Sequence, residues 1–236
     1  MENNKSYLEC EKRWIFAALM FVAGYYGAFT YSIRGGIFCN AQTANFVLFA
    51  MAIGNGELKK ALYYLIPMGA YLLGAVISEA LPKPIKRLKL MRWDTFLILF
   101  EMAVVLFLGL LPESAPYQIS QIAINFICSM QYNTFRQAQG VSMATTFCTN
   151  HVRQIGVWIV KAFSSKEERK LGRALNHFCM LVAFVSGGVV STALCRLMMG
   201  RAMLFALIPL SIVFADLLYA DLKTEKGQMY KKPQGH

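Results

Sequence analysis

Apolar residues run through this chain in blocks rather than at a helical or strand period, and polar residues collect between the blocks. Six blocks are long enough for a helix to cross about 30 Å of hydrocarbon, which takes about 20 residues: Trp14–Ile33, Leu58–Leu81, Trp93–Leu111, Tyr117–Phe135, Leu171–Leu194 and Arg201–Ala220. None shows the continuous polar face of a helix that packs on a soluble core. Lys12 and Arg13 precede the first block as they would a signal peptide, but its apolar run is too long for an h-region and no A-x-A-like site follows, so it reads as a first helix.

Two more apolar stretches, Gln42–Gly54 and Val141–Phe163, offer only about a dozen continuous apolar residues each, short of the ~17–25 a span needs. They read as half-helices. If they crossed fully, the most basic loop, Lys83–Arg92, would fall outside, against the positive-inside rule. If they enter and leave on one side, Lys83–Arg92, Lys161–Arg173 and the tail lysines Lys223, Lys226, Lys231 and Lys232 face the cytoplasm. Arg34, Lys59, Lys60, Arg196 and Arg201 are then minority outside charges. The expected fold is an all-α polytopic bundle of about six spans plus two short re-entrant or broken helices, with both termini cytoplasmic.

The halves resemble each other. Leu58–Leu81 aligns without a gap on Leu171–Leu194 at an offset of 113, and within the match Ala70, Gly74 and Ser78 fall on Ala183, Gly187 and Ser191. Small residues at every fourth position make a smooth stripe on which membrane helices approach closely. Upstream, "YGAF" (Tyr26–Phe29) sits against "YNTF" (Tyr132–Phe135) at an offset of 106, and Thr43 falls on Thr149 at that same offset. The expected organisation is one integral membrane domain: a first repeat over 14–111, a second and inverted repeat over 117–220, and a basic tail over 221–236.

Composition sharpens this picture at three points. A chain of 236 residues that is 56% hydrophobic and 16% charged, with a mean hydropathy of +0.43, has a bilayer as its solvent. The net charge of +11 lies mainly in connecting segments, so it reports topology and contact with anionic lipid, and no nucleic-acid partner is expected. The six cysteines are scattered, and neither they nor His151 and His177 have metal-ligand spacing, so no metal and no cofactor is expected.

The candidate chemistry lies in the polar side chains that break the apolar blocks. The heads of the short segments, "NAQTAN" (Asn40–Asn45) and "TTFCTNH" (Thr145–His151), carry hydroxyls and amides suited to capping a half-helix or to holding a small solute. Backbone that is not helical at membrane depth must be buried in protein or line a watery cavity. Thr43, Asn45, Thr145, Thr146, Thr149 and Asn150, with Gln131 and Asn133 of the fifth block, are the candidate solute ligands. Asn125 and Asn133, eight residues apart, are placed to share a helix face. Glu101, in the middle of "FLILFEMAVVLF", is either a coupling carboxylate opposite Arg136 or Arg153 or half of a buried ion pair that fixes helix packing, and His151 is a second titratable candidate. Glu79 and Asp216 read as charges that snorkel. No pattern of nucleophile and base is present, so no enzyme is expected.

The motifs "FVAGYYGAF", "GGIFCNAQTAN", "SMQYNTF" and "VSMATTFCTN", in this order, resemble those of the YoaK-like bacterial membrane proteins, a family defined by a domain of unknown function. Gly24, Thr43, Asn45, Gln131, Thr145, Thr146 and Thr149 match the family pattern. Gly27 stands where the family commonly has Asp, Ala44 where it has Gly in T-G-N, and Asn150 where it has Gly after the second Thr. The resemblance implies a multi-pass protein of the bacterial inner membrane and assigns no substrate. The leading expectation is a small-solute transporter with its site between the repeats. The alternative is a scaffold or accessory subunit whose polar groups only hold helices together, with homo-oligomerisation left open.

Overall fold

The computed structural model describes residues 7–82, 90–165, 168–228, 231 and 233. Of the basic segments singled out in the sequence, 83–89, 166–167 and Lys232 lie outside these residues. The elements in chain order are α1 (Arg13–Ile33), α2 (Gln42–Gly54), α3 (Leu58–Ala80), α4 (Trp93–Leu110), α5 (Tyr117–Thr134), a two-stranded hairpin of β1 (Gln137–Ala138) and β2 (Val141–Ser142), α6 (Thr149–Ser165), α7 (Glu168–Met198), a 3-10 stretch over Met199–Ala206, and α8 (Leu207–Tyr219). The fold is helical, as the blocks predict.

Four helical stretches among the described residues are long and apolar enough to cross a membrane: Arg13–Ile33, Leu58–Ala80, Trp93–Leu110 and Lys170–Thr224. They mark the chain as a membrane protein. The last is not one rod, because Met199 takes the left-handed conformation at φ +50 and ends α7 there. Helix α5 has the length of a span but carries Ser120, Gln121, Asn125, Ser129 and Gln131, all buried against neighbouring helices.

Hydrogen bonds between helix ends set the helix directions. At one end Arg13 bonds Asn176 (3.3 Å), Trp93 Nε1 donates to Thr134 (2.9 Å), Asn133 Nδ2 to Ser78 (2.8 Å) and the Arg92 amide to Asp221 (2.9 Å). At the other end Gln121 Nε2 donates to the Arg34 carbonyl (2.6 Å), Tyr63 to Gln121 Oε1 (2.5 Å) and the Gly200 amide to Glu113 (2.7 Å). In chain order α1, α3, α4, α5, α7 and the stretch that runs through α8 therefore alternate in direction. The first end also gathers Lys12, Arg136, Arg173, Lys223 and Lys226 and is the basic end.

Packing joins helices across the sequence midpoint. Helix α1 lies mainly on α7, and α3 mainly on α5, both in parallel. The small stripes make these contacts. A Cβ on Gly74 would sit 2.4 Å from the Phe126 carbonyl oxygen, and one on Gly187 only 1.9 Å from that of Phe21, so glycine alone permits either crossing. Outward, α3 exposes Leu62, Leu65, Ile66, Leu72, Leu73 and Val76 while Ala70, Gly74 and Ser78 face inward. Large apolar groups outside and small or polar ones inside suit lipid as the surrounding medium.

The structure departs from expectation at several points, the break at Met199 among them. The stretch Val141–Phe163 is not one apolar helix: residues 137–148 form the hairpin and an extended run, and α6 begins only at Thr149. Arg34, expected as a minority outside charge, is buried, 3.5 Å from Glu113 and stacked over Phe29.

Candidate functional site

Both short helices are entered through non-helical backbone that dips into the bundle and must find partners for its amides and carbonyls. After α1 the chain folds back until Asn40 Nδ2 donates to the Ala23 carbonyl (3.1 Å), ten residues and about 15 Å inside the end of α1. Gln42 then donates to Asn125 (2.7 Å), and α2 returns toward the end it came from. The second head comes from the basic end. The Gln139 amide, in the left-handed turn of the hairpin, donates to the Glu11 carbonyl (2.9 Å), and Gln131 Nε2 donates to the Thr145 carbonyl (3.1 Å).

The heads share one fastening. Asn45 Nδ2 donates back to the Phe38 carbonyl (2.8 Å), and His151 Nε2 donates back to that of Ala144 (2.8 Å). Each spans seven residues, and donor and acceptor both shift by 106 residues from one head to the other. A carbonyl only accepts, so His151 carries a proton on Nε2; in the neutral ring its Nδ1 is then the acceptor in the 3.0 Å contact with Nδ1 of His177. Sequence spacing alone pairs neither histidine with a partner. The α6–α7 hairpin brings them together, both buried. Among the described residues no group of three or more His, Cys, Asp and Glu stands ready for a metal.

The heads meet at a cavity of about 510 Å³. Asn40 and Ala41 line it from one side and Thr146, Phe147, Cys148 and Thr149 from the other. Gly24, Gly27 and Ala28 of α1 and Phe184 and Gly188 of α7 form the wall between. Among the described residues no charged side chain lines it. Gly27, where the family pattern has Asp, explains itself here: a Cβ at that position would lie 2.7 Å from Asn40 Nδ2, so the Asn40 amide fills the room a side chain would need.

Of the sequence candidates, Thr146 and Thr149 line this cavity. Asn45, Gln131 and Thr145 are buried close by; Asn45 and Gln131 hold backbone in place, Gln131 through the Thr145 carbonyl, while Asn45 Oδ1, Gln131 Oε1 and Thr145 Oγ1 have no hydrogen-bond partner among the described residues. Thr43 is exposed on the first turn of α2, away from the cavity lining. Asn133 and Asn150 line a different cavity, of about 520 Å³, together with Tyr132, Arg136 and Ser142 near the basic end. Asn125 accepts from Gln42 of α2, and Asn133 donates to Ser78 of α3.

The expected arginine partners of Glu101 are not there. Glu101 accepts from the Tyr26 hydroxyl (2.9 Å), and both residues are buried. Arg136 lies beyond the end of α5, 3.1 Å from Glu79 and bonded to Asn133, while exposed Arg153 bonds Asn150 (3.1 Å). Glu101 sits eight residues, about 12 Å, inside α4, too deep for either. Reading the sequence also missed Asn40 as a cavity residue and Arg92, a loop charge that is buried 3.1 Å from Asp94. Asn40 carried a signal in the Gly27 departure, and Arg92 in the Asp94 two residues on.

The family model described as a protein of unknown function, DUF1275, matches residues 15–215, which contain both heads and every helix that lines the cavity. No curated protein and no solved structure matches the chain.

Proposed function

The chain belongs to the DUF1275 family of proteins of unknown function, the YoaK-like family whose motifs it carries, and from that premise we propose that it is a small-solute transporter of the bacterial inner membrane. It acts without covalent chemistry. The observation that carries the reading is the meeting of two half-helix heads, entered from opposite ends of the bundle, across one cavity at mid-depth. In this reading the alternating long helices are six spans, and α1–α4 and α5–α8 are inverted repeats about a pseudo-two-fold. The exchange of helix pairs, α1 with α7 and α3 with α5, and the matched head fastenings support it. The basic end faces the cytoplasm and carries both termini.

The test is a metabolite flux screen in proteoliposomes. A solute moved by the protein should lose at least tenfold in rate with Thr146→Val or Thr149→Val at unchanged thermal stability, and a screen in which nothing moves counts against the proposal. Topology is read separately. Cys39 is buried and Cys148 lines the cavity, so thiols are introduced at Lys59 and Arg173 and should label from opposite sides. A non-transporting scaffold is the second reading, favoured by the use of Asn45, Gln42 and Gln131 to bond protein groups. It predicts that Thr146→Val and Thr149→Val alter stability only.

A further inference from the structure

We propose that the cavity takes a small amphiphilic anion of monocarboxylate type, its charged head held by the two half-helix starts and its apolar body along the α1–α7 wall. The proposal rests on reading this cavity as the solute site. Helix α2 begins at the cavity with Ala41 as its N-cap, a residue with no side-chain acceptor, and no side chain caps it. Helix α6 begins there with Cys148, whose carbonyl accepts from the Val152 amide and whose thiol is a weak acceptor. Among the described residues no side chain bonds a first-turn amide of either helix. The start of each helix carries the equivalent of about half a positive charge. Two of them meet at a wall with no Asp, Glu, Lys or Arg, so an anion is the ligand that completes the electrostatics.

An independent group points the same way. The Thr146 side chain is fully buried, lines the cavity, and leaves its hydroxyl without a hydrogen-bond partner; the Tyr71 phenol is near it but outside hydrogen-bond geometry. A hydroxyl can donate to a carboxylate, whereas the same group offers little to an ammonium already facing two positive helix ends. Around this polar centre the wall is apolar, with Phe38, Phe147 and Phe184, and the cavity opens sideways past exposed Tyr31 and Val185. A head with an alkyl body, lying partly in the lipid, fits that shape.

The experiment uses one tail and three heads: hexanoate, hexanamide and hexylamine, with binding of tritiated hexanoate to the purified protein in nanodiscs as the readout. Hexanoate should bind, with the amide and amine at least tenfold weaker as competitors. Ala41→Asp places a carboxylate at the N-cap of α2, so it should raise thermal stability and reduce hexanoate binding at least tenfold. Ala41→Ser should reduce it less, and Thr146→Val should weaken binding in a protein of normal stability. Competition by hexylamine or hexanamide at or above the strength of hexanoate, lost in Thr146→Val, overturns the anion and leaves the solute site standing. No hexanoate binding by a protein that moves other solutes does the same. Hexanoate binding by a protein that moves nothing in the flux screen upholds the anion site and overturns the transporter.

Discussion

The two heads solve one problem with different residues. Each brings extended backbone into the bundle and closes it with a side chain that donates to the carbonyl seven residues back, but the first head uses the Asn45 amide and the second the His151 imidazole. The first is reached by the short segment between α1 and α2 and is fixed by amides, Asn40, Gln42 and Asn45. The second is reached through a hairpin anchored on Glu11 and is tied to a further helix by the His151–His177 contact. What this arrangement asks of position 45 or 151 is a donor at a given place, whatever side chain supplies it. That leaves the rest of each side chain free to differ between the heads.

The comparison breaks most sharply at the crossings on which both heads rest. Gly187→Ala places a methyl 1.9 Å from a backbone oxygen and Gly74→Ala one 2.4 Å away. Each should cost at least the ~1–3 kcal/mol of an overpacked core, the first more than the second, by thermal unfolding in detergent. Gly69→Ala and Gly172→Ala, with open space around them, are the controls and should change little. Next come the fastenings. His151→Ala and Asn45→Ala each leave a buried carbonyl without its donor, at about 1–3 kcal/mol, and His151→Ala should cost more because His177 also loses its partner. His151→Asn then asks whether the heads are interchangeable: recovery of less than half the loss would show that the imidazole does more than donate. Smaller still, Tyr26→Phe should cost about 1 kcal/mol by leaving Glu101 without its donor, while Glu101→Gln keeps an acceptor and should be nearly neutral. Smallest is Glu79→Ala at the exposed pair with Arg136, at about 0.2–1 kcal/mol. A larger loss there would assign the second cavity, which Arg136 lines, a structural part.

Much of the fold was legible because the bilayer imposes block lengths. The bounds of α2 match the short apolar run Gln42–Gly54, and the start of α3, the bounds of α4 and the start of α5 fall within a residue of their blocks. The break at Met199 was not legible as a left-handed residue, since methionine carries no turn signature, and it shortens the last helix to Leu207–Tyr219. The heads were legible as polar interruptions, and Thr146 and Thr149 of the second head line the cavity. Which polar atoms face a ligand and which hold backbone was not, because Asn45 and Asn40 differ only in which carbonyl they reach. Pairing was illegible for the same reason. Glu101 with Tyr26 and His151 with His177 are contacts between helices whose rotations the sequence does not set.

The parallel pairs α1 with α7 and α3 with α5 bear on how the chain is made. Each pair takes one helix from either half, so the Gly24 side of α1 has no partner until α7 has been synthesised, and the Gly74 side of α3 waits for α5. A ribosome working from the N-terminus delivers a first half whose glycine stripes face lipid, a state that the membrane insertion machinery or a neighbouring chain must cover in the interval. The two halves therefore cannot mature as successive modules; the face of α1 is closed only when α7 arrives.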